Sequence, residues 1–576
     1  MNILLIYPYC LEERVHREDA EVVPIGLYYI GAQLRQDGHA VEIVNAARWR
    51  KTPEAIDGLL RDRRPDVVGC SVLNANRWGA VEICERAKAC LPEVTTVLGG
   101  VGATFLWRHL LTHFEAVDVI VLGEGERSFG HLVAHLQRSP SKSPESVRGI
   151  AYRGPQGPCK TAAADPVERP DDLPDPSRWF TFQHVALTRG CVADCRFCGS
   201  PRFWGRRLRS HSSAYFVGML ERLVSRGVTF FYVSDDTFTA NRRRVIAICR
   251  MIIERRLPIT WAAISRVDMV DEEVLAWMRK AGCVQISYGV ESGSEPIRRQ
   301  LNKGFDNRQV AEAFQCTTRC GILPRAYFIY GSPGESDETI DATLHLIEEI
   351  RPLGAIFYIL TLYPGTALME SYRRKNGLSD DIWLEKREDI LYFETDPAIS
   401  REQILAWGRR LRDGFHRRLA QFAEAVELNP DPEWRSLNAD FCSRLALTFQ
   451  RGDYAQVAEI ADKSSLAETL YHRALAYAPD QRAFLGLGML YQHQRRFADS
   501  ARILSEGVER HPHDPQLAIC LAVSLMNTGR MASARTLLEP LAQLPEARPY
   551  LAACYRATGA PEKAAALEAG SNGQGG

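Results

Sequence analysis

Over the first 138 residues, short unbroken runs of Val, Ile and Leu alternate with stretches of helical spacing. The apolar runs predict strands at 2–7, 41–45, 66–72, 94–98 and 117–122. Apolar positions three and four apart predict helices at 25–36, ending at Gly38, and at 53–61 and 80–90. Runs this continuous leave no polar face for solvent, so the strands belong to a parallel sheet covered by helices on both sides. Ligands of such sheets sit at the carboxyl ends of the strands, where the loops here are rich in glycine.

The texture changes at 139–180. Ser139-Pro140-Ser141-Lys142-Ser143-Pro144 reads as an exposed linker, four prolines fall between Pro166 and Pro176, and only 149–152 has strand character. A second alternating series follows within 181–395, with strands expected at 185–188, 230–233, 260–264, 284–289, 325–330 and 356–362. Helices are expected between them, at 214–225, 241–254, 271–280 and 307–320. Six β-then-α units do not close an eight-unit barrel; they suit a partial barrel open along one side. A helical connector at 396–435 leads to a third texture at 436–570. Leu487, Gly488, Tyr491, Phe497 and Pro512 have the spacing of a helix–turn–helix tetratricopeptide unit, and the turn at Gly529-Arg530 lies one repeat of ~34 residues after Arg495-Arg496. Gly559 and, upstream, Gly452-Asp453-Tyr454 mark less regular turns, giving about three degenerate repeats that must stack to bury their apolar faces. Residues 571–576 read as a disordered tail. The fold class is therefore α/β, with an N-terminal Rossmann-like sheet, a central partial (β/α)6 barrel and C-terminal all-α repeats.

Composition narrows the function classes. The chain has 71 Lys plus Arg against 71 Asp plus Glu, so no general field draws it to nucleic acid or an acidic membrane face. No apolar stretch is long enough to span a bilayer, and the N-terminus lacks the basic start and apolar run of an export signal. The expected location is cytoplasmic, where the clustered members of the 15 cysteines point to metal or catalysis rather than disulfides.

One cluster stands out: Gly190-Cys191-Val192-Ala193-Asp194-Cys195-Arg196-Phe197-Cys198, just after the first strand of the second series. Cys-x3-Cys-x2-Cys on a loop lets three thiolates converge on one inorganic core. A 4Fe–4S cluster has four irons, so three local cysteines leave one iron open. That iron suits the amino and carboxylate groups of S-adenosylmethionine, and an electron passed into the sulfonium would split a carbon–sulfur bond. The alternatives are a zinc site, for which no fourth ligand stands at zinc spacing, and chance.

From Val185 to about Leu368 the sequence resembles the radical S-adenosylmethionine superfamily. The resemblance implies that Cys191, Cys195 and Cys198 ligate the cluster and that Phe197 contacts the adenine region. It also places Asp235, in the Asp235-Asp236 pair, near the cofactor, and Arg266 where a group meets the methionine carboxylate. Glu291, in Gly289-Val290-Glu291-Ser292-Gly293, matches a position near the ribose, and Gly331 lies in Tyr330-Gly331-Ser332-Pro333-Gly334-Glu335, which looks like the loop under the adenine. Tyr363-Pro364-Gly365-Thr366 resembles the exit of the last strand.

No G-x-G-x-x-G follows the first strand, which argues against a dinucleotide. Pro24-Ile25-Gly26-Leu27, Gly69-Cys70-Ser71, Leu98-Gly99-Gly100 and Gly123-Glu124-Gly125-Glu126 resemble the cobalamin-binding domain that precedes many radical enzymes of this class. By that resemblance Ser71, Gly99, Gly100 and Glu124 line the cofactor, small residues letting backbone approach a flat macrocycle. The Asp-x-His-x-x-Gly pattern that supplies a cobalt ligand elsewhere is absent, and Asn74-Ala75-Asn76 or Trp78 stands near the lower face. A sheet that binds nothing is the alternative.

Other residues carry less. Cys316 and Cys320 read as helix core. His39 reads as a cap on the approach to its strand. His109 and His113 share a helix face at metal-ligand spacing but, with no carboxylate or third histidine to support them, read as surface. Arg206-Arg207-Leu208-Arg209 reads as a solvated loop, with the active mouth or a reductase contact as the alternative. The expected activity is cobalamin-dependent methyl transfer to an unactivated carbon, with cobalamin-assisted oxidation, cyclisation or rearrangement as the alternative within the class. A methylthiotransferase is disfavoured, because the N-terminal sheet lacks the cysteines of a second cluster. From another class, the chain is a repeat-based interaction protein with a structural cluster. Expected partners are an unidentified substrate, an electron donor of flavodoxin or ferredoxin type, and a protein or peptide on the repeats.

Overall fold

A computed structural model describes residues 1–12, 22–139 and 143–569. Part of the predicted linker, at 140–142, and the predicted tail at 571–576 lie outside the described residues.

The first sheet contains β1 (Asn2–Tyr7), β2 (Ala40–Asn45), β3 (Val67–Ser71), β4 (Thr95–Gly99), β5 (Val119–Val121), β6 (Ile150–Gly154) and β7 (Gly157–Lys160), in the order β2-β1-β3-β4-β5-β6-β7. The pairs among β1 to β5 are parallel; β5–β6 and β6–β7 are antiparallel. Alternate residues feed two cores. Leu4, Ile6, Val68, Leu98 and Ile120 face one side, and Ile3, Leu5, Val67, Val97 and Val119 the other. This two-sided burial explains the unbroken apolar runs. The hairpin β6–β7 departs from expectation: it falls in the stretch read as a connection, yet it extends this sheet by two strands. Its short strands alternate with Gly and Pro, which masked the signal.

The second sheet runs β15-β14-β13-β12-β11-β8, with unjoined ends. Its strands are β8 (His184–Val185), β11 (Phe230–Val233), β12 (Thr260–Ser265), β13 (Cys283–Glu291), β14 (Leu323–Tyr330) and β15 (Gly354–Ile359). Two expected strands are split. The 185–188 run pairs with β11 only through β8; then Thr188–Arg189 (β9) forms an antiparallel ribbon with Arg209–Ser210 (β10). The break lies where the Leu187 amide and Thr188 hydroxyl turn to the Asp235 carboxylate. The 356–362 run ends β15 at Ile359, and Thr361–Leu362 (β16) pairs antiparallel with Ile390–Leu391 (β17). Leu360 and Leu362 there leave the barrel and join the core on one face of the first sheet, with Trp383 and Ile390.

The chain forms two compact units: residues 1–314, 325–350 and 355–411 in one, and 315–324, 351–354 and 412–576 in the other. The loops at the carboxyl ends of the strands of both sheets belong to the first unit. The second unit holds the tail helices, from Arg435–Gln450 to Pro561–Ala569. Arg495-Arg496, Gly529-Arg530 and Gly559 each lie between two of these helices. Small residues set the spacing: a Cβ on Gly488 would stand 2.5 Å from Leu504 side-chain carbons, and one on Gly486 2.2 Å from the Tyr471 ring. Among the described residues no helix is long and apolar enough to cross a membrane.

Candidate active site

The chain reaches the cysteine loop through Gly190, whose φ of +98° only glycine adopts without strain, and a Cβ there would stand 2.7 Å from the Arg207 carbonyl. Two backbone bonds then pin the loop: Arg196 N to Leu301 O at 3.1 Å and Leu368 N to Arg196 O at 2.9 Å. Cys191 and Cys195 are buried and Cys198 half-buried. The Thr237 hydroxyl lies 3.6 Å from Cys191 Sγ, and the Ser200 amide donates to Cys198 Sγ at 3.4 Å.

The sulfurs lie close enough for Cys198 to feel the charge of Cys195 and Cys191, and for Cys195 to feel that of Cys191. Burial first, then Asp236, Cys195 and Cys191, push the Cys198 thiol up to about 12 against the Ser200 amide. Burial raises Cys195 as well, opposed by the cations Lys303 and Arg266.

Beside the cysteines sits a buried charge group that the sequence reading found only in part. Glu291 ends β13 at a φ of +70°, a left-handed conformation that costs a non-glycine residue roughly 1 kcal/mol or more. Its Oε1 lies 2.8 Å from Lys303 Nζ, which also donates to the Gly289 carbonyl at 3.1 Å. Gly289 makes room for the pair, since a Cβ there would stand 2.6 Å from Glu291 Oε1. Burial works against the Lys303 charge, but Glu291 and Cys195 outweigh it and raise its pKa. Lys303 Nζ lies 5.9 Å from the centre of the Phe197 ring and 5.8 Å from that of Phe305. Arg266 is buried over Phe305 and held by two bonds to Asp268 at 2.9 and 2.8 Å. Gly331 follows β14, where a Cβ would stand 2.8 Å from Ile404 Cδ1, and Ser332 N donates to Glu335 at 2.9 Å. Burial pushes Glu335 up to about 7.

Two carboxylates that the sequence places near the cofactors are engaged by neighbouring groups of the protein. Asp235 is buried with one oxygen on Leu187 N at 2.9 Å and the other on the Thr188 hydroxyl; burial lifts it to about 7 despite these bonds. Its neighbour Asp236 is the one that faces Cys198, while accepting from the Ser200 hydroxyl. Glu124 is taken by two arginines, Arg189 at 2.8 Å and Arg209 at 2.6 Å. Arg209 is accordingly buried, not part of a solvated loop; Arg207 is exposed and pairs with Glu168.

At the carboxyl ends of the first sheet, Gly100 turns at a φ of +92° with the Ser71 hydroxyl 3.4 Å from where a Cβ would stand. Gly69 is small for packing, because a Cβ would meet Leu5 at 2.9 Å. The other strand-end glycines differ. Nothing lies within 4 Å of a Cβ built on Gly26 or Gly123, and at Gly99 the nearest atoms are 3.8 Å away. These three leave open space beside the strand ends. The loop beyond β3 is occupied by the fold: Asn74 and Arg77 donate to the Glu388 carbonyl at 3.0 and 2.9 Å, and Trp78 to that of Arg387 at 3.2 Å.

The two edges meet. A Cβ on Gly199, next to Cys198, would stand 3.7 Å from Val101, next to Gly100, and the rings of Phe105 and Phe203 lie edge to face at 6.5 Å.

A radical SAM superfamily model matches residues 185–347, and a B12 binding domain model matches residues 17–133. An uncharacterized methyltransferase of Pyrococcus horikoshii is 30% identical over 392 residues, covering 66% of this chain and 84% of that one. The anaerobic magnesium-protoporphyrin IX monomethyl ester cyclase of Rubrivivax gelatinosus is 28% identical, covering 70% and 75%. Among solved structures, the radical S-adenosylmethionine methyltransferase TsrM from Kitasatospora setae, with cobalamin and a [4Fe-4S] cluster bound, superposes with a TM-score of 0.59 at 17% identity, covering 83% of this chain and 99% of that one.

Proposed function

The chain belongs to the radical SAM superfamily, in the group with a B12-binding domain ahead of the radical SAM core, and from that premise we propose that it transfers a methyl group to an unactivated carbon. Its cofactors are a 4Fe–4S cluster, S-adenosylmethionine and cobalamin. The observation that carries the proposal is the contact of the two edges, Gly199 beside Val101, because methyl transfer needs the radical and the methyl donor on either side of one substrate atom. When bound, the cluster supplies the electron that cleaves S-adenosylmethionine, and cobalamin supplies the methyl group.

The rest falls to the chain's own side chains. Cys191, Cys195 and Cys198 would hold three irons. Lys303, fixed by Glu291, and Arg266, fixed by Asp268, would set positive charge beside the sulfurs and orient the methionine end of S-adenosylmethionine. Phe197 and the Gly331 turn would bound its adenosine end. Gly99, Gly100 and Ser71 would let the first sheet's edge approach cobalamin. In this reading 1–138 with the β6–β7 hairpin is the cobalamin domain, 181–395 the radical core, and the repeats recruit a protein or peptide substrate or partner; a flavodoxin- or ferredoxin-type donor supplies electrons.

The test is to reconstitute the protein anaerobically and measure 5′-deoxyadenosine and S-adenosylhomocysteine with candidate substrates. Methyl transfer yields both. The similarity to a cyclase favours a second reading, radical cyclisation or oxidation, in which 5′-deoxyadenosine forms with substrate and S-adenosylhomocysteine never does.

A cofactor-specific prediction follows from the open glycines. Gly99→Leu meets no protein atom closer than 3.8 Å at Cβ, so folding is preserved, while its side chain fills the cobalamin space. Cobalt content is expected to fall at least about tenfold, equivalent to ~1.4 kcal/mol of binding, with iron content unchanged.

A further inference from the structure

His109 and His113, four residues apart on one face of the helix Trp107–His113, are joined by a carboxylate that the sequence does not reveal. Asp381 Oδ1 lies 3.4 Å from His113 Nε2 and 3.9 Å from His109 Nδ1, the two imidazole rings are 5.0 Å apart, and one ligand atom from each residue lies within 4.8 Å of the others. His109 is not a surface residue: it is only 5% exposed, and its Nδ1 is buried without a hydrogen-bond partner. A buried, unpartnered ring nitrogen aimed at a histidine and a carboxylate is a defect in a purely structural cluster, and a ligand in a metal site. Asp381 is already oriented: its Oδ2 accepts from the Ser379 hydroxyl at 2.8 Å, which turns Oδ1 toward the rings. The cation facing His109, Arg77, is engaged by the carbonyls of Asn74 and Glu388 and stacks on Trp383 at 4.9 Å.

We propose that His109, His113 and Asp381 bind one divalent transition ion of the zinc type, outside the active site. Metal–ligand bonds of ~2.0–2.2 Å in tetrahedral geometry set ligand atoms roughly 3.3–3.6 Å apart, which the His113–Asp381 distance meets and the His109–Asp381 distance reaches by a small side-chain rotation. Two imidazoles and one carboxylate are the donor set of zinc or ferrous iron. The Asp381 side chain is 63% exposed, so the remaining coordination position opens to water. The ion would tie the helix Trp107–His113 to the turn Asp380–Trp383, more than 260 residues later, on a face where Trp383 already packs. It is a clamp, separate in residues and role from the cysteine loop.

The experiment uses full-length protein with its cluster loaded, so that the cysteines are closed to zinc, exchanged into micromolar free zinc and measured for zinc and iron by mass spectrometry. Wild type is expected to retain about one zinc per chain and His113→Ala/Asp381→Ala less than a tenth of that, with equal iron and equal 5′-deoxyadenosine formation. Both substituted positions are accessible, so the variant folds; buried His109 is left alone. In wild type, zinc about a hundredfold above its Kd raises the melting midpoint by roughly 5 °C, and in the variant by none. Equal zinc in both proteins, or none in wild type, overturns the proposal. Ferrous iron in excess of the cluster, lost in the variant, supports the site and identifies iron as its ion.

Discussion

Cys195→Ala is expected to leave a folded protein with less than one iron per chain and no measurable cleavage of S-adenosylmethionine, a loss of more than about a thousandfold, or upward of ~4 kcal/mol of barrier. Cys195 is the middle thiol of the loop, buried and within reach of the charges of Lys303, Glu291 and Arg266. With two thiols left, a second iron loses its protein ligand, and the polynuclear core has no closed set of anchors. Cys195→Ser keeps the volume but replaces a soft ligand with a hard one, so it restores little iron. The backbone anchors of the loop, Arg196 to Leu301 and to Leu368, do not involve the side chain, so far-ultraviolet circular dichroism and cobalamin content stay at wild-type values. Cys84, buried in the first sheet's core, is the control: Cys84→Ala removes a thiol of the same chemistry and leaves iron and cleavage unchanged. Iron retained in Cys195→Ala would contradict the assignment of the loop.

What the sequence made legible was local. β1 and the helix Ile25–Gln36 fall on their predicted bounds, because a doubly buried strand and an amphipathic helix each write their period in consecutive residues. The cysteine loop was legible for the same reason: three ligands within eight residues need no fold to bring them together. The β6–β7 hairpin was a local miss, its short strands broken by Gly and Pro; the other departures are long-range. A carboxylate after a strand looks the same whether it awaits a ligand or an arginine 65 residues away, so the protein partners that hold Glu124 and Asp235 were not legible. Lys303 carried no signal, since a lysine after a helix is normally solvated, and only its pairing with Glu291 makes its burial tolerable. The split of 185–188 depends on Asp235 capturing two donors, and the histidine pair took its carboxylate from a distant turn. Pattern predicts what a residue's neighbours in sequence decide; the site was finished by neighbours in space.

The joint between the two edges yields the second large effect. Arg189 is buried beside the cysteine loop and pairs with Glu124 at 2.8 Å and with Glu126, flanked by the rings of Tyr29 at 5.5 Å and Trp204 at 5.4 Å. Arg189→Met leaves Glu124 its second partner, Arg209, but strands Glu126 in a buried setting; removing one member of such a group costs about 3–5 kcal/mol. The thermal midpoint is expected to fall by roughly 6 °C or more. Arg189→Met/Glu126→Gln removes both charges together and recovers a large part of that loss, which a simple packing defect would not. The functional consequence separates the two half-reactions. Cleavage of S-adenosylmethionine needs only the cysteine loop and its cations, so 5′-deoxyadenosine formation stays within about tenfold of wild type. Methyl transfer also needs the strand-end glycines of the first sheet held against that loop, and a displacement of about 1 Å costs on the order of a hundredfold. S-adenosylhomocysteine should therefore fall by about that factor, leaving radical formation uncoupled from transfer. A parallel decline of both products would place Arg189 in cluster assembly instead, and an unchanged ratio at full stability would remove it from the joint altogether.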